Sequence, residues 1–280
     1  MPDVGFLNGE FMPLSQVKVS IEDRGFQFGD GVYEVVRTYG GVPFQLDAHL
    51  ERLERSAHAI HLNMTVHSTK WEEWVREGVT RTGYSECKVY VQVTRGVASR
   101  DHLFPTGTTP PVTMSVREMH PPDQALLQAG VVVMTMDDLR WGRCDIKSIN
   151  LLPNVLARQR ASEVGAFEAI LVRQDMVTEG AVSNVMMVSA GRVITPPEGT
   201  HILSGVTRQF VLSLARKSGI PVEERNIGLR EFRQAEEVFL TGTTIEVLPV
   251  VRIDDAPVGN EQPGLLTKRL RSLFQEEIAS

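Results

Sequence analysis

Two tight-turn dipeptides, Asn8-Gly9 and Gly40-Gly41, each stand between short β-rich runs: VGFLNG with EFMPL, and GVYEVVRTY with GVPFQ. Such pairs accept the backbone twist of a two-residue hairpin loop, so neighbouring strands must run antiparallel. This excludes a regularly wound parallel sheet for the first half of the chain. Between and after the hairpins the apolar period changes. DAHLERLERSAHAIH places Leu50, Leu53, Ala57 and Ile60 on one stripe, with Asp47 expected as the helix N-cap. A second helix is predicted over Thr69 to Arg81, stopped by Gly83, and strands over CKVYVQVTRG and PPVTMSVRE, on either side of the loop ASRDHLFPTGTT.

The Pro-Pro pair in HPPDQALLQAG breaks this pattern, which places a domain boundary near residues 119 to 125. The chain then reads as an N-terminal α/β domain over 1-120 and a C-terminal domain over 121-280. The second opens with the strand VVVMTMDDL. A helix follows with Pro153 in its first turn, PNVLARQRASEVG, ending at Gly165. FEAILVR and SNVMMVS read as alternating strands around a turn. GVTRQFVLSLARKSG is a patterned helix, EEVFLTGTTIEVLPVVRID supplies two strands, and LLTKRLRSLFQEEI is a closing amphipathic helix. The fold class is therefore α+β in two domains, with mostly antiparallel sheets and flanking helices.

Composition narrows function by exclusion. A formal net charge of -6 opposes nucleic-acid binding, and no apolar run reaches the roughly 20 residues of a membrane span. Two cysteines, Cys87 and Cys144, build no disulfide framework, and no histidine stands at metal-ligand spacing from them, so no metal is expected. His49, His58, His61 and His67 scatter through one helical region and read as solvent-facing or partly buried. The start MPDVGFLNGEF has neither a basic nor an apolar leader segment, which points to a soluble cytoplasmic protein.

Six segments carry a resemblance: EDRGFQFGDGVYEVV, RGVASRDHLFP, RWGRCDIKSINLLPNVLARQ, VTEGAVSNV, LSGVTR and LTGTTIEVLPV. In this order, across both halves, they resemble the fold-type-IV pyridoxal-phosphate aminotransferases, most closely the D-amino-acid group. The resemblance implies pyridoxal 5'-phosphate as cofactor and Lys147 as its Schiff-base residue, carried by the C-terminal domain. A lone lysine there would ordinarily be a surface residue paired with Asp145. An imine, however, needs a free amine, and burial beside apolar groups such as Trp141 disfavours the ammonium form. By the same resemblance Glu179 partners the ring nitrogen, and Arg52, Val206, Thr207 and Thr243 take the phosphate, Val206 and Thr207 at a helix N-terminus suited to anions.

Substrate recognition follows in the same terms. Arg100 and His102 stand in the R-x-H-x-F spacing, and with Tyr33 they form the family's trap for a substrate carboxylate. Trp141 and Ser183 match pocket positions. The resemblance implies D-amino acids and 2-oxo acids as substrates, and a homodimer in which the arginine-histidine loop serves the neighbouring subunit's site. One departure stands out: Gly180-Ala181-Val182-Ser183-Asn184 replaces a serine-rich run, making that side of the pocket more apolar. Alternatives of the same fold are a branched-chain L-amino-acid or (R)-amine transaminase and an aminodeoxychorismate lyase. A non-catalytic cofactor-binding protein is a further one.

Overall fold

The structure, a computed structural model, describes residues 3–64 and 68–279. His67 lies outside the described residues. The chain divides into two compact units: one up to Pro121 together with Ile146–Asn150, the other Pro122–Asp145 with the chain from Leu151 onward. Placing the lysine in the C-terminal domain is corrected by this division, because Lys147 belongs with the first unit. The reason is backbone pairing. Tyr33 N–H donates to the Lys147 carbonyl at 3.0 Å, Ile149 N–H to the Gly31 carbonyl at 3.1 Å, and Ser148 forms an antiparallel bridge with Val32.

The first unit runs β1 (Val4–Leu7), β2 (Glu10–Pro13), α1 (Arg24–Phe28), β3 (Gly31–Tyr39), β4 (Val42–Pro43), α2 (Leu46–Ala59), α3 (Ser68–Thr82), β5 (Cys87–Thr94) and β6 (Val112–Glu118). Among the described residues its strands form one antiparallel sheet in the order β2-β1-β6-β5-β3-β4. Asn8 and Gly9 adopt positive φ at the first hairpin, as a primed turn requires. Leu50, Leu53 and Ala57 of α2 are buried with Val32 and Val36 of β3 and Val89 and Val91 of β5. Removing each large side chain from water contributes roughly 1.5–3 kcal/mol. Asp47 is not the N-cap of α2: Gln45 holds that place in a left-handed conformation, and Asp47 sits exposed in the first turn, where its charge suits the helix dipole.

The second unit runs α4 (Gln124–Ala129), β7 (Val131–Asp137), α5 (Leu152–Glu163), β8 (Glu168–Arg173), β9 (Met176–Gly180), β10 (Asn184–Ser189), β11 (Arg192–Thr195), α6 (Val206–Lys217), β12 (Val222–Glu224), β13 (Ile227–Gly228), α7 (Leu229–Phe232), β14 (Glu237–Gly242), β15 (Glu246–Ile253), β16 (Ala256–Pro257) and α8 (Leu265–Ala279). Its sheet follows the order β12-β11-β10-β14-β15-β7-β8-β9-β13, with β16 on β15. Most pairs are antiparallel, but β7–β8, β7–β15 and β11–β12 are parallel. Strands β8 and β10 do not alternate between core and solvent. Every residue but the last is buried, since apolar groups cover both faces. Ala169 and Leu171 meet Ala157 and Ala161 of α5, while Ile170 joins Val133, Val185 and Leu240 on the other side. The supposed linker carries α4, capped by the Asp123 carboxylate on Ala125 N–H.

Candidate active site

In the first unit, Lys147 is held by its backbone, and its amine lies over an aromatic ring. Its N–H donates to Ser56 Oγ at 3.2 Å, and its Nζ lies 4.3 Å from the centroid of the Tyr33 ring. Tyr33 in turn stacks on Tyr90 at 5.5 Å, and the Tyr90 hydroxyl donates to Gln92 Oε1 at 2.7 Å. Burial pushes the Tyr90 phenol up to about 12, so this ring stays neutral beneath its neighbour. The lysine is half-buried. The burial expected around Trp141 is corrected, because that side chain is 46% exposed. Asp145 pairs with Arg143 at 2.9 Å and so is not the partner of Lys147.

Arg52 is not a solvated helix residue. Together with His49, one turn earlier on α2, it points inward at Glu34 of β3, and all three are buried. Arg52 donates from Nε to Glu34 Oε1 at 2.6 Å and from Nη2 to Oε2 at 2.9 Å; His49 Nδ1 meets Oε2 at 2.7 Å. Burial works to raise the Glu34 carboxyl, but Arg52 and His49 outweigh it and hold the group well below its usual range. His49 is pushed down by burial, against the pull of Glu34. The expectation of a solvent-facing or partly buried histidine is thus corrected at His49, whose partner is a carboxylate on a strand distant in sequence. His58 is exposed, as is His61.

Arg100 and His102 lie exposed on the loop after β5, and both pack on Phe28. The Arg100 guanidinium is 4.5 Å from that ring's centroid, and the His102 ring is 5.4 Å away.

In the second unit, Glu179 stands near the end of β9 and is enclosed by donors. Arg140 Nη1 bonds Oε1, while Asn184 Nδ2 at 2.9 Å and Leu203 N–H at 3.1 Å bond Oε2. Burial pushes the Glu179 carboxyl up to about 7, against the pull of Arg140. Arg140 is held in turn by a two-pronged pair with Asp138, at 2.9 Å on each prong. Asn184 also donates to the Leu203 carbonyl at 2.9 Å, so one amide ties the carboxylate to the segment that opens α6. Gly205, the N-cap of α6, makes no side-chain cap, and Val206 and Thr207 begin the helix with N–H groups outside its ladder. A Cβ on Gly205 would lie 1.9 Å from Asn184 Oδ1, so any side chain here would have to displace the Asn184 amide.

The other expected residues are less closely gathered. The Ser183 hydroxyl donates to Glu168 at 3.1 Å, beside Val182 N–H at 2.6 Å, and burial raises the Glu168 carboxyl. Thr243 lies half-buried in the turn between β14 and β15. Ala181 packs against α5, while Val182 is exposed. Residues that the sequence reading misses are Glu34, His49 as a buried partner, Asp138, Arg140 and Asn184. Some of them leave a visible trace: Glu34 is a charge set between Val32-Tyr33 and Val35-Val36 in a strand, and Asp138 and Arg140 follow a strand in DDLRWG. Among the described residues no metal-binding cluster occurs, both cysteines are free, and no helix is long and apolar enough to cross a membrane.

The chemistry of these groups, taken within each unit by itself, fits an aldehyde-bearing aromatic nitrogen base with a phosphate. The first offers an amine over an aromatic ring. The second offers a buried carboxylate that gains from a nearby cation, a helix start without a side-chain cap, and the buried Thr241 hydroxyl, which has no hydrogen-bond partner among the described residues. The family model for class IV amino-transferases matches residues 31–253, and the chain belongs to that family. It is 44% identical over 273 residues to a D-alanine aminotransferase of Bacillus licheniformis, covering 98% of this chain and 96% of the relative. A D-alanine aminotransferase of Staphylococcus epidermidis is 40% identical over 275 residues, covering 98% of each. Among solved structures, a branched-chain amino acid aminotransferase of Escherichia coli superposes with a TM-score of 0.90 at 25% identity, covering 98% of this chain and 94% of that one. A T.th. branched-chain amino acid aminotransferase, solved with pyridoxamine 5'-phosphate, gives a TM-score of 0.91 at 27% identity, covering 98% of this chain and 93% of that one.

Proposed function

We propose that this chain is a pyridoxal-phosphate-dependent aminotransferase that moves an amino group between D-amino acids, D-alanine and D-glutamate among them, and 2-oxo acids. Full-length likeness to D-alanine aminotransferases supports the reaction. The observation that carries the donor class is the Arg100–His102 pair: a guanidinium with no hydrogen-bond or ion-pair partner among the described residues, beside an imidazole. Such a pair suits a carboxylate, which a planar fork holds with two charge-assisted bonds.

The roles are those the family resemblance implies, and the chemistry of each residue suits its role. Lys147 would hold the cofactor's aldehyde through its amine, and the same amine, free and neutral, would take the substrate's α-proton and return it. Glu179 answers the ring nitrogen, since a buried carboxylate is stabilised by a cation brought against it. Arg52, Val206, Thr207 and Thr243 receive the phosphate, with Ser183 on the cofactor side. Tyr33, Arg100, His102 and Trp141 hold the substrate. The bound cofactor supplies an electron sink for the α-carbon. Handedness arises because the trap fixes the carboxylate while Lys147 works from one face. The active form is read as a cytoplasmic homodimer with the arginine-histidine loop serving the neighbouring subunit.

Likeness to branched-chain enzymes among solved structures favours one other reading, transamination of branched-chain L-amino acids. A donor panel of D- and L-amino acids and chiral amines with 2-oxoglutarate separates the two. D-alanine is expected to lead, with D-glutamate as product; L-leucine leading with L-glutamate formed would overturn the D assignment. Turnover without any oxo acid would point to the lyase. Borohydride reduction of the holoenzyme followed by peptide mapping is expected to mark Lys147.

A further inference from the structure

The loop that carries Arg100 and His102 rests on a single aromatic ring. Phe28 is the last residue of α1, and three side chains converge on it: Arg24 with its guanidinium 4.8 Å from the centroid, Arg100 at 4.5 Å, and His102 at 5.4 Å. The ring itself is well anchored. Asp23 caps α1 through Gly25 N–H at 2.7 Å and accepts the Thr94 hydroxyl at 2.9 Å, and Gly29 closes the helix in the left-handed conformation. Arg24, only 3% exposed, bonds Asp30 at 2.8 Å and donates to the carbonyl of Asp101, the residue between Arg100 and His102. Asp30 also receives Arg95, whose guanidinium lies 3.8 Å over the ring of Phe104, so Asp101 and Phe104, on either side of His102, both tie back to one carboxylate through an arginine.

We propose that Phe28 is a positioning residue for carboxylate recognition, the platform that orients Arg100 and His102 without consuming their donors. The inference rests on the carboxylate role given above to those two residues. A guanidinium that stacks on a ring uses its flat face, and its N–H edge stays available for a planar anion. An acidic partner would do the reverse: it would fix Arg100 but occupy the fork and cancel its charge. An aliphatic residue of similar bulk would fill the space without the electrostatic attraction of the ring face. Arg24 completes the arrangement, because its bond to the Asp101 carbonyl fixes the backbone between the two recognition residues.

The test compares holoenzyme carrying Phe28→Leu, Phe28→Tyr or Arg100→Ala. Each is assayed for kcat and KM with D-alanine and with a carboxylate-free primary amine, and for binding of 2-oxoglutarate by calorimetry. Thermal unfolding checks that each variant is folded. Losing the Arg100 cation–ring contact and the His102 ring–ring contact predicts that Phe28→Leu, which also gives up the Arg24 contact, raises the KM for D-alanine and the Kd for 2-oxoglutarate about ten-fold. The amine donor should be unaffected within about two-fold, and Phe28→Tyr should behave as the parent, since a phenol keeps the ring face. Equal losses on both donors, no loss, or a tyrosine variant as weak as the leucine one would overturn the platform. If Arg100→Ala is itself indifferent to the carboxylate, the underlying assignment of Arg100 fails. If Arg100→Ala is selective and Phe28→Leu is not, only the platform fails.

Discussion

Gly205→Ala tests the link between the buried carboxylate of Glu179 and the start of α6. The new methyl would stand 1.9 Å from Asn184 Oδ1 and 3.2 Å from the Arg208 Cβ. The backbone at Gly205 is extended with φ -72, so the clash alone sets the cost. Asn184 must swing away, which breaks its bonds to Glu179 and to the Leu203 carbonyl, each 2.9 Å. A hydrogen bond to a charged group is worth about 1.5–3 kcal/mol and a neutral one about 0.5–1.5, so the substitution should cost roughly 2–4 kcal/mol. Asn184→Ala removes the same two bonds and should cost about as much. Once Asn184 is alanine, the methyl meets only Arg208, and adding Gly205→Ala should cost less than about 1 kcal/mol more. Urea unfolding of the parent, both single variants and the double variant measures this coupling, expected at about 2–3 kcal/mol. Additivity within roughly 0.5 kcal/mol would refute the reasoning.

Glu34→Ala leaves Arg52 buried without its carboxylate and should destabilise the protein by about 3–5 kcal/mol in chemical unfolding. The Glu34 carboxyl is held below its usual 4.5 in the folded state, so its contribution is present above that pH and fades as pH falls. The parent should therefore lose stability on acidification more steeply than Glu34→Gln; parallel curves would count against the buried pair. Arg140→Gln removes the cation that opposes burial at Glu179, whose carboxyl should then rise above about 7 and stand protonated at neutral pH. Cofactor affinity in mildly alkaline buffer, read by fluorescence titration, should fall by about ten-fold or more. An unchanged dissociation constant would show that Arg140 only supports the loop.

The two hairpins and the longer helices α2, α3, α5, α6 and α8 are legible in the sequence because they rest on local chemistry (turn dipeptides, apolar period and, for α5, proline), whereas the short helices α1, α4 and α7 leave no such period. The status of Arg52 is not legible, since ERLER reads as the polar face of a helix and only the distant Glu34 turns it inward. For the same reason the register of β7 beside both β8 and β15 escapes a local reading: parallel pairing joins segments far apart in the chain. At the candidate site, Lys147 and Glu179 come from recognisable segments. Their supports, Ser56, Asn184, Arg140 and Asp138, are ordinary polar residues whose partners are set by folding.

The short stretch from Ile146 to Asn150 has a consequence for taking the protein apart. It is threaded into the first unit by hydrogen bonds to Gly31 and Tyr33, although it is encoded after the chain has left that unit. A fragment cut at Pro121 would lack a segment that pairs with β3, and the complementary fragment would carry that stretch away from its strand. Neither half is a transplantable cassette, and recombination that exchanges everything after residue 121 also exchanges the backbone that seats Lys147 on β3. Chimeras that keep Gly31–Tyr39 and Ile146–Asn150 from one parent should be the ones that keep the amine in register.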